Sequence, residues 1–378
     1  MSVDFEIPPL GPPRPGQDGA WIITRYRDVE AVLNAAEVEV VPLADDLVHT
    51  VSERLSGRFR DLVAILDSLP ILAAGETHTS CRAASHALVK SLTVQALQRD
   101  LAAELEMRIE GWAQAGSIDA VTTIGRDLTD RLIGAALGFS AAELAELDRT
   151  RQIAVDDWHP MQRLEHYDRR QAAAREIHAA VTDHVRAGRC PILEDTGDEV
   201  VGALTFLVLI AADTGRAFVG NCLALLATRP DLQAELRGDR RKILAFVEEA
   251  LRLAGPIKRR ARKVALDGFR VGDSEIPAGS RLWVHLDAAG RDGDVYADPE
   301  SIDLTRSRPT TAAFGFGSHQ CLGRVLARAI ARATVVAVLE RFEVRPDSQP
   351  ALQRCDPDVL AFDRLPLVLT PVPVEQHA

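Results

Sequence analysis

One cysteine lies in the stretch Phe314-Gly315-Phe316-Gly317-Ser318-His319-Gln320-Cys321-Leu322-Gly323, just before an Ala/Arg-rich segment that reads as a helix from about Arg324 to Phe342. These ten residues constrain the chain more than any other segment. A cysteine at a loop-to-helix junction can stay a thiolate, because the helix N-terminus carries partial positive charge and its free N–H groups donate to the sulfur. Such a sulfur suits a metal ligand. The glycines permit positive-φ turns and let the backbone lie flat against a large planar partner, while Phe314 can cover the sulfur and keep water from it.

With 378 residues the chain can bury a large core, and its length fits one large enzyme domain as well as two or three average ones. The five cysteines (Cys81, Cys190, Cys222, Cys321 and Cys355) are odd in number, widely spaced and without a C-x-x-C pair. That argues against a disulfide framework and a zinc site, and for a reducing cytoplasm. No apolar run reaches the ~18–20 residues of a membrane span. The longest, Val200 to Ala212, runs into Asp213. Met1-Ser2-Val3-Asp4-Phe5-Glu6 has neither a basic start nor an apolar stretch, so no signal peptide or membrane anchor is expected. A formal net charge of −11 argues against nucleic acid as a partner of the whole surface.

The proline-rich lead-in from Pro8 to Gly16 cannot be helix or central strand. Trp21-Ile22-Ile23-Thr24 reads as a short strand, and Tyr26 to Leu33 as a helix with Val29, Val32 and Leu33 on one face. From about Arg82 helical periodicity dominates. Ser140-Ala141-Ala142-Glu143 is a capping-box pattern, and Pro230 opens a further helix. Strand signals return at Gly268 to Val284, around a turn at Ile276-Pro277-Ala278-Gly279, and near Leu365 to Leu369. Without repeats or low-complexity tracts, residues 1–378 read as one mainly α domain with small β-sheets attached.

The pattern F-G-x-G-x-H-x-C-x-G resembles the haem-thiolate loop of the cytochrome P450 superfamily at every specified position. The resemblance implies that fold, a helical bundle around haem b (iron protoporphyrin IX) with small β-sheets. It makes Cys321 the axial iron ligand, puts Phe314, Gly315 and Gly323 in the cofactor loop, and lets His319 reach a haem propionate. Glu249 and Arg252, at i and i+3 on a predicted helix from Ile243 to Leu253, share a face. Their spacing resembles the family's E-x-x-R motif, a buried structural pair that braces the cysteine loop. Ser301 stands where the family carries a third, arginine partner, and Arg306 is the open substitute. His78 and Arg82, four apart on a helix, can clasp one anionic group, and resemble the family's propionate-binding H-x-x-x-R. Arg262 matches another propionate arginine, with Lys263 as the competing register.

The run Thr205 to Ala212 is apolar all round and leads into Asp213-Thr214. An aspartate there is costly unless paired or functional, and an acid–alcohol pair can deliver protons without admitting bulk water. The pair resembles the family's I-helix motif, although Ile210 and Ala211 replace its small residues. The resemblance thus implies a monooxygenase that uses dioxygen on a small organic, secondary-metabolite type of substrate. Phe206, Leu209, Ile210, Ile257 and Lys258 are the candidate pocket residues. Lys258 or Arg260 could anchor an anion, unless both reach solvent with only their stems buried. No flavin or nucleotide fingerprint is visible, so electrons are expected from a ferredoxin-type partner, docked on a basic stripe of Arg324, Arg328 and Arg332. Two other readings stay open. One keeps the haem-thiolate fold but performs coupling, desaturation, nitration or peroxide-driven chemistry; the other is a non-catalytic helper, which would be expected to lack the cysteine.

Overall fold

Ile243, Phe246, Val247, Ala250 and Leu251 recur at the spacing of one helix face, and all five are buried on the helix Ile243–Ala254. The same logic organises most of the chain, which is mainly α with small sheets. The computed structural model describes residues 7–41, 57–92, 94–126, 134, 137–155, 164–190, 198–208, 212–265, 267–307 and 311–372. The chain gathers into two units: Met1–Val38 with Val94–Thr129 and Thr214–Ala378, and Glu39–Thr93 with Asp130–Asp213.

In the first unit, the expected N-terminal strand forms at Trp21–Ile23 and runs parallel to Arg281–His285, pairing Trp21 with Leu282 and Ile23 with Val284. On its other side, Arg281–His285 pairs antiparallel with Arg259–Val264. Val29, Val32 and Leu33 of the helix Tyr26–Asn34 are buried, and pack with Leu282, Val284 and Phe316 in one core. A second core joins four helices through Phe218, Leu226, Leu236, Phe246, Val335 and Leu339. Pro230 opens the helix Pro230–Gly238, where its missing N–H costs nothing. A three-stranded sheet sets Pro366–Pro371 between Ser117–Asp119 and Phe342–Pro346.

The second unit is helical. Gly75–Ser91 packs on Asp198–Phe206, and Ala141–Val155 on Leu164–Arg186. The capping box forms as read: Glu143 accepts from the Ser140 N–H at 2.8 Å, and the Glu143 N–H donates to Ser140 Oγ at 3.3 Å. The hydrogen bonds from Ser140 pull the Glu143 carboxyl down to about 2. Among the described residues no helix is long and apolar enough to cross a membrane.

Glu249 and Arg252 form a buried, two-pronged pair, with Arg252 Nε on Glu249 Oε1 at 3.0 Å and its NH2 on Oε2 at 2.8 Å. The rest of the Arg252 fork donates to the carbonyls of Gly290, Pro299 and Ser301. Burial alone would raise the Glu249 pKa, but Arg252 and the Asp303 N–H bring it below its ordinary value. The open question about Arg306 is answered: its Nε lies 3.2 Å from Glu249 Oε1. Ser301, at the position of the family's arginine, serves through its backbone, while Arg306 supplies the second cation from further along the chain. Both guanidinia lie over the Tyr296 ring, 5.1 and 5.9 Å from its centre.

Arg306→Ala is expected to lower stability by about 2 kcal/mol, because a buried carboxylate loses a charged partner. Ser301→Ala should change it by less than about 0.5 kcal/mol, since the carbonyl that Arg252 uses remains. Urea denaturation of the two variants beside wild type checks both values. An Arg306→Ala loss no larger than that of Ser301→Ala would remove Arg306 from the network.

Candidate functional site

The cysteine loop is closed by its own backbone. Thr311 Oγ1 caps a 3₁₀ turn at Ala312–Phe314, the Gly315 N–H returns to Ala312 O at 2.8 Å, and the Cys321 N–H reaches Phe314 O at 2.9 Å. Between them a second 3₁₀ turn spans Gly317–His319. Gly315 and Gly317 both take left-handed conformations, at φ 66° and 69°. Gly317 has a second reason to be glycine: a Cβ there would lie 2.3 Å from the Leu33 carbonyl. The loop is thereby pressed against the end of the helix Tyr26–Asn34.

Cys321 is half-buried and sits just before Gly323, the N-cap of the helix Arg324–Arg341. The first N–H groups of that helix have no intrahelical acceptor, so the cysteine stands where an anionic sulfur is favoured. A Cβ on Gly323 would come within 3.9 Å of Sγ. Glycine there leaves the sulfur's surroundings open. His319 is half-buried in the second 3₁₀ turn.

The two loop phenylalanines divide their tasks. Phe316 is buried and meets Tyr26 edge-on at 5.7 Å, anchoring the loop to the core. Phe314 packs against the helical core and lies under the Arg328 guanidinium, 4.5 Å from its ring centre. Arg328 also grips Glu248 through two hydrogen bonds of 2.6 and 3.0 Å. The stripe of three equivalent arginines therefore needs correction. Arg328 is neutralised and serves the loop, whereas Arg324 and Arg332 remain exposed. The sequence reading missed Phe316 and the Arg328–Glu248 pair; the only signal for Phe316 was its alternation with Phe314.

The strand Arg259–Val264 carries five cations in and around it, and they have different fates. Lys258 Nζ donates to the Asp356 carbonyl at 2.8 Å, so the cation read as a possible free anchor is engaged within the protein. Arg259 pairs with Asp358 at 2.6 Å and stacks on Trp283 at 3.9 Å. Lys263 is exposed and Arg262 is buried, which favours Arg262 over the competing register. Burial, followed by repulsion from Arg260, pushes the Arg262 guanidinium down to about 10. Ile257 is half-buried against the first core and bridges to Val359.

Other candidates belong to the second unit. His78 is buried on the helix Gly75–Ser91, one turn before the half-buried Arg82. Burial, and then the Arg82 charge, lowers the His78 pKa, so its imidazole is neutral near pH 7. Phe206 ends the helix Asp198–Phe206 half-buried, while Leu209, Ile210 and Ala211 lie outside the described residues. Asp213 is 3.4 Å from the buried Arg151, which also holds Asp148 at 3.0 Å. Asp213 is thus a paired carboxylate. Thr214 follows it on the helix Ala212–Ala227, in the first unit, half-buried.

Comparison with known proteins agrees with this geometry. A family model described as Cytochrome P450 matches residues 194–370. Cytochrome P450 107B1 of Saccharopolyspora erythraea is 28% identical over 351 residues, covering 85% of this chain and 82% of that protein. The vitamin D(3) 25-hydroxylase of Pseudonocardia autotrophica is 28% identical over 352 residues, covering 86% and 81%. The polyketide biosynthesis cytochrome P450 PksS of Bacillus subtilis is 23% identical, covering 92% and 86%. Among solved structures, CalO2 superimposes with a TM-score of 0.84 at 21% identity, covering 95% of this chain and 93% of that one. P450BioI, in complex with an acyl carrier protein ligated to hexadec-9Z-enoic acid, gives 0.82 at 20% identity, covering 93% and 92%. With the closed Gly-rich cysteine loop, the buried Glu249–Arg252 pair and this agreement in fold along nearly its whole length, the chain belongs to the cytochrome P450 superfamily of oxidoreductases.

Proposed function

We propose that the whole chain, residues 1–378, is one haem-thiolate monooxygenase domain that inserts one oxygen atom of dioxygen into a small organic substrate of secondary-metabolite type. Electrons come from an external ferredoxin-type partner. The observation that carries this reading is the closed Phe314–Cys321 loop, with a half-buried cysteine at a helix N-terminus. Relatives named for polyketide biosynthesis and vitamin D(3) hydroxylation support the substrate class.

The residues present fit a planar group that takes a thiolate and carries carboxylates. Arg260 and Arg262, two residues apart on one strand, have no carboxylate within ion-pairing distance among the described residues, and Arg262 is buried. An anion is what this pair lacks. When bound, iron protoporphyrin IX supplies the redox metal at which dioxygen is reduced, and a thiolate ligand favours O–O cleavage.

The protein's own contributions follow from chemistry already described. Cys321 is the ligand, kept anionic by the helix end, with Phe314, Gly315 and Gly323 shaping its surroundings. Arg262 and His319 would hold propionate carboxylates; His78 and Arg82, one turn apart on one helix, are suited by their donors to the same kind of anionic group. Asp213, oriented by Arg151, takes up and passes a proton, and the Thr214 hydroxyl directs it. Phe206, at the end of its helix, and Ile257, against the first core, are each suited by their apolar side chains to contact substrate. Arg324 and Arg332 steer an acidic redox partner, an effect on the association rate above all.

Turnover of a panel of polyketide and sterol-like compounds under isotopically labelled dioxygen tests the reading. Each product molecule should carry one labelled oxygen atom, and products without label would overturn the monooxygenase assignment. Asp213→Asn should lower turnover by about 10²-fold at unchanged haem content. Thr214→Ala should instead divert a larger share of the electrons into free hydrogen peroxide. Unchanged coupling of electron use to product in both variants would exclude the pair from proton delivery.

A further inference from the structure

Opposite residues on antiparallel strands share a sheet face, and Arg260 pairs with Val284 as Arg262 pairs with Leu282. Val264, two residues further on, lies on the same face. Val264, Leu282 and Val284 pack in one core with Ala312 and Phe316, which belong to the cysteine loop or lead into it. This face is therefore apolar where it meets the loop and cationic toward the start of the strand, with two guanidinia side by side.

The basic residues around Arg260 are satisfied or solvated: Lys258 by the Asp356 carbonyl, Arg259 by Asp358 and Trp283, and Lys263 by solvent. Arg262 donates to the Ala261 carbonyl. Arg260 makes no hydrogen bond or ion pair among the described residues, although it is half-buried and has a second guanidinium beside it. Burial pulls its pKa down, while the Asp358 carboxylate and the Cys321 sulfur, near enough to be felt, push it back up. A cation so placed is costly without a counter-ion.

Resting on the haem-thiolate reading, we propose that Arg260 binds a second carboxylate, beyond the one that Arg262 holds, on the sheet face that leads to Cys321. The carboxylate belongs either to the second haem propionate or to an acidic substrate, and a guanidinium recognises both through the same fork of donors. In the second case Arg260 sets specificity, and the enzyme prefers acids to their neutral esters.

Two measurements on wild type, Arg260→Met and Arg260→Lys separate these sources. The first is the rate of haem loss to apomyoglobin after reconstitution with protohaem or with its dimethyl ester. The second is calorimetric binding of decanoic acid and methyl decanoate to the holoenzyme. If the partner is a propionate, Arg260→Met should lose protohaem about tenfold faster but lose the dimethyl ester at the wild-type rate, in keeping with one charged hydrogen bond. If the partner is a substrate, the variant should lose about tenfold of its preference for the acid over the ester while haem loss stays unchanged. Arg260→Lys keeps the charge without the fork, so it should shift in the same direction by less, and it carries the test should the methionine variant fail to fold. Arg260 variants that match wild type in both measurements would overturn the proposal. A wild-type apoprotein that takes up no haem would overturn the reading beneath it instead.

Discussion

Glu249 must carry its charge where water does not reach, and the approach to the cysteine loop is arranged around that requirement. Arg252 and Arg306 meet its two oxygens, and the Asp303 N–H adds a third donor. The remaining donors of Arg252 collect the carbonyls of Gly290, Pro299 and Ser301. Gly290 has to be glycine, because a Cβ there would lie 2.3 Å from the Arg252 carbonyl. One carboxylate thus joins the end of a helix to a long irregular segment that follows Gly290. The hydrophobic effect has no direction and could not set that segment's path, whereas a fork of charged hydrogen bonds can.

The cysteine loop repeats the principle with backbone instead of charge. Its shape rests on two left-handed glycines and on the Cys321 N–H returning to Phe314. Phe316 ties it inward to Tyr26, and Phe314 is held from outside by Arg328, itself fixed by Glu248. The two neighbouring glutamates of one helix therefore act on different sides of the problem: Glu249 sets the segment before the loop, and Glu248, through Arg328, holds the loop's first aromatic.

Much of this was legible in the sequence wherever the determining interaction is local. The helix Tyr26–Asn34, the Ser140–Glu143 box, the start at Pro230 and the strands around Gly268 each depend on neighbours a few residues away. Arg262 and Lys263, the two registers that the pattern offers, differ in burial: Arg262 is buried and Lys263 is exposed. Arg306 was left open because its partner lies far along the chain and takes the place of a family arginine that is absent here. Nothing near Lys258 or Arg328 in the sequence marks either as engaged within the protein, since the groups that meet them, the Asp356 carbonyl and Glu248, are remote or on another helix. Local spacing says which face a side chain takes; it does not say which distant group will meet it.

The same distinction orders the functional account. Family membership rests on the loop, the fold and similarity to relatives, whereas the individual roles rest on chemistry that each side chain can perform. Among these, the one on which every other depends is that Cys321 binds iron as a thiolate. The absorption spectrum of the reduced holoprotein under carbon monoxide tests it most directly. The account predicts the strongly red-shifted Soret band of thiolate-ligated haem in wild type and its absence in Cys321→Ala; the same red-shifted band in both proteins would contradict it.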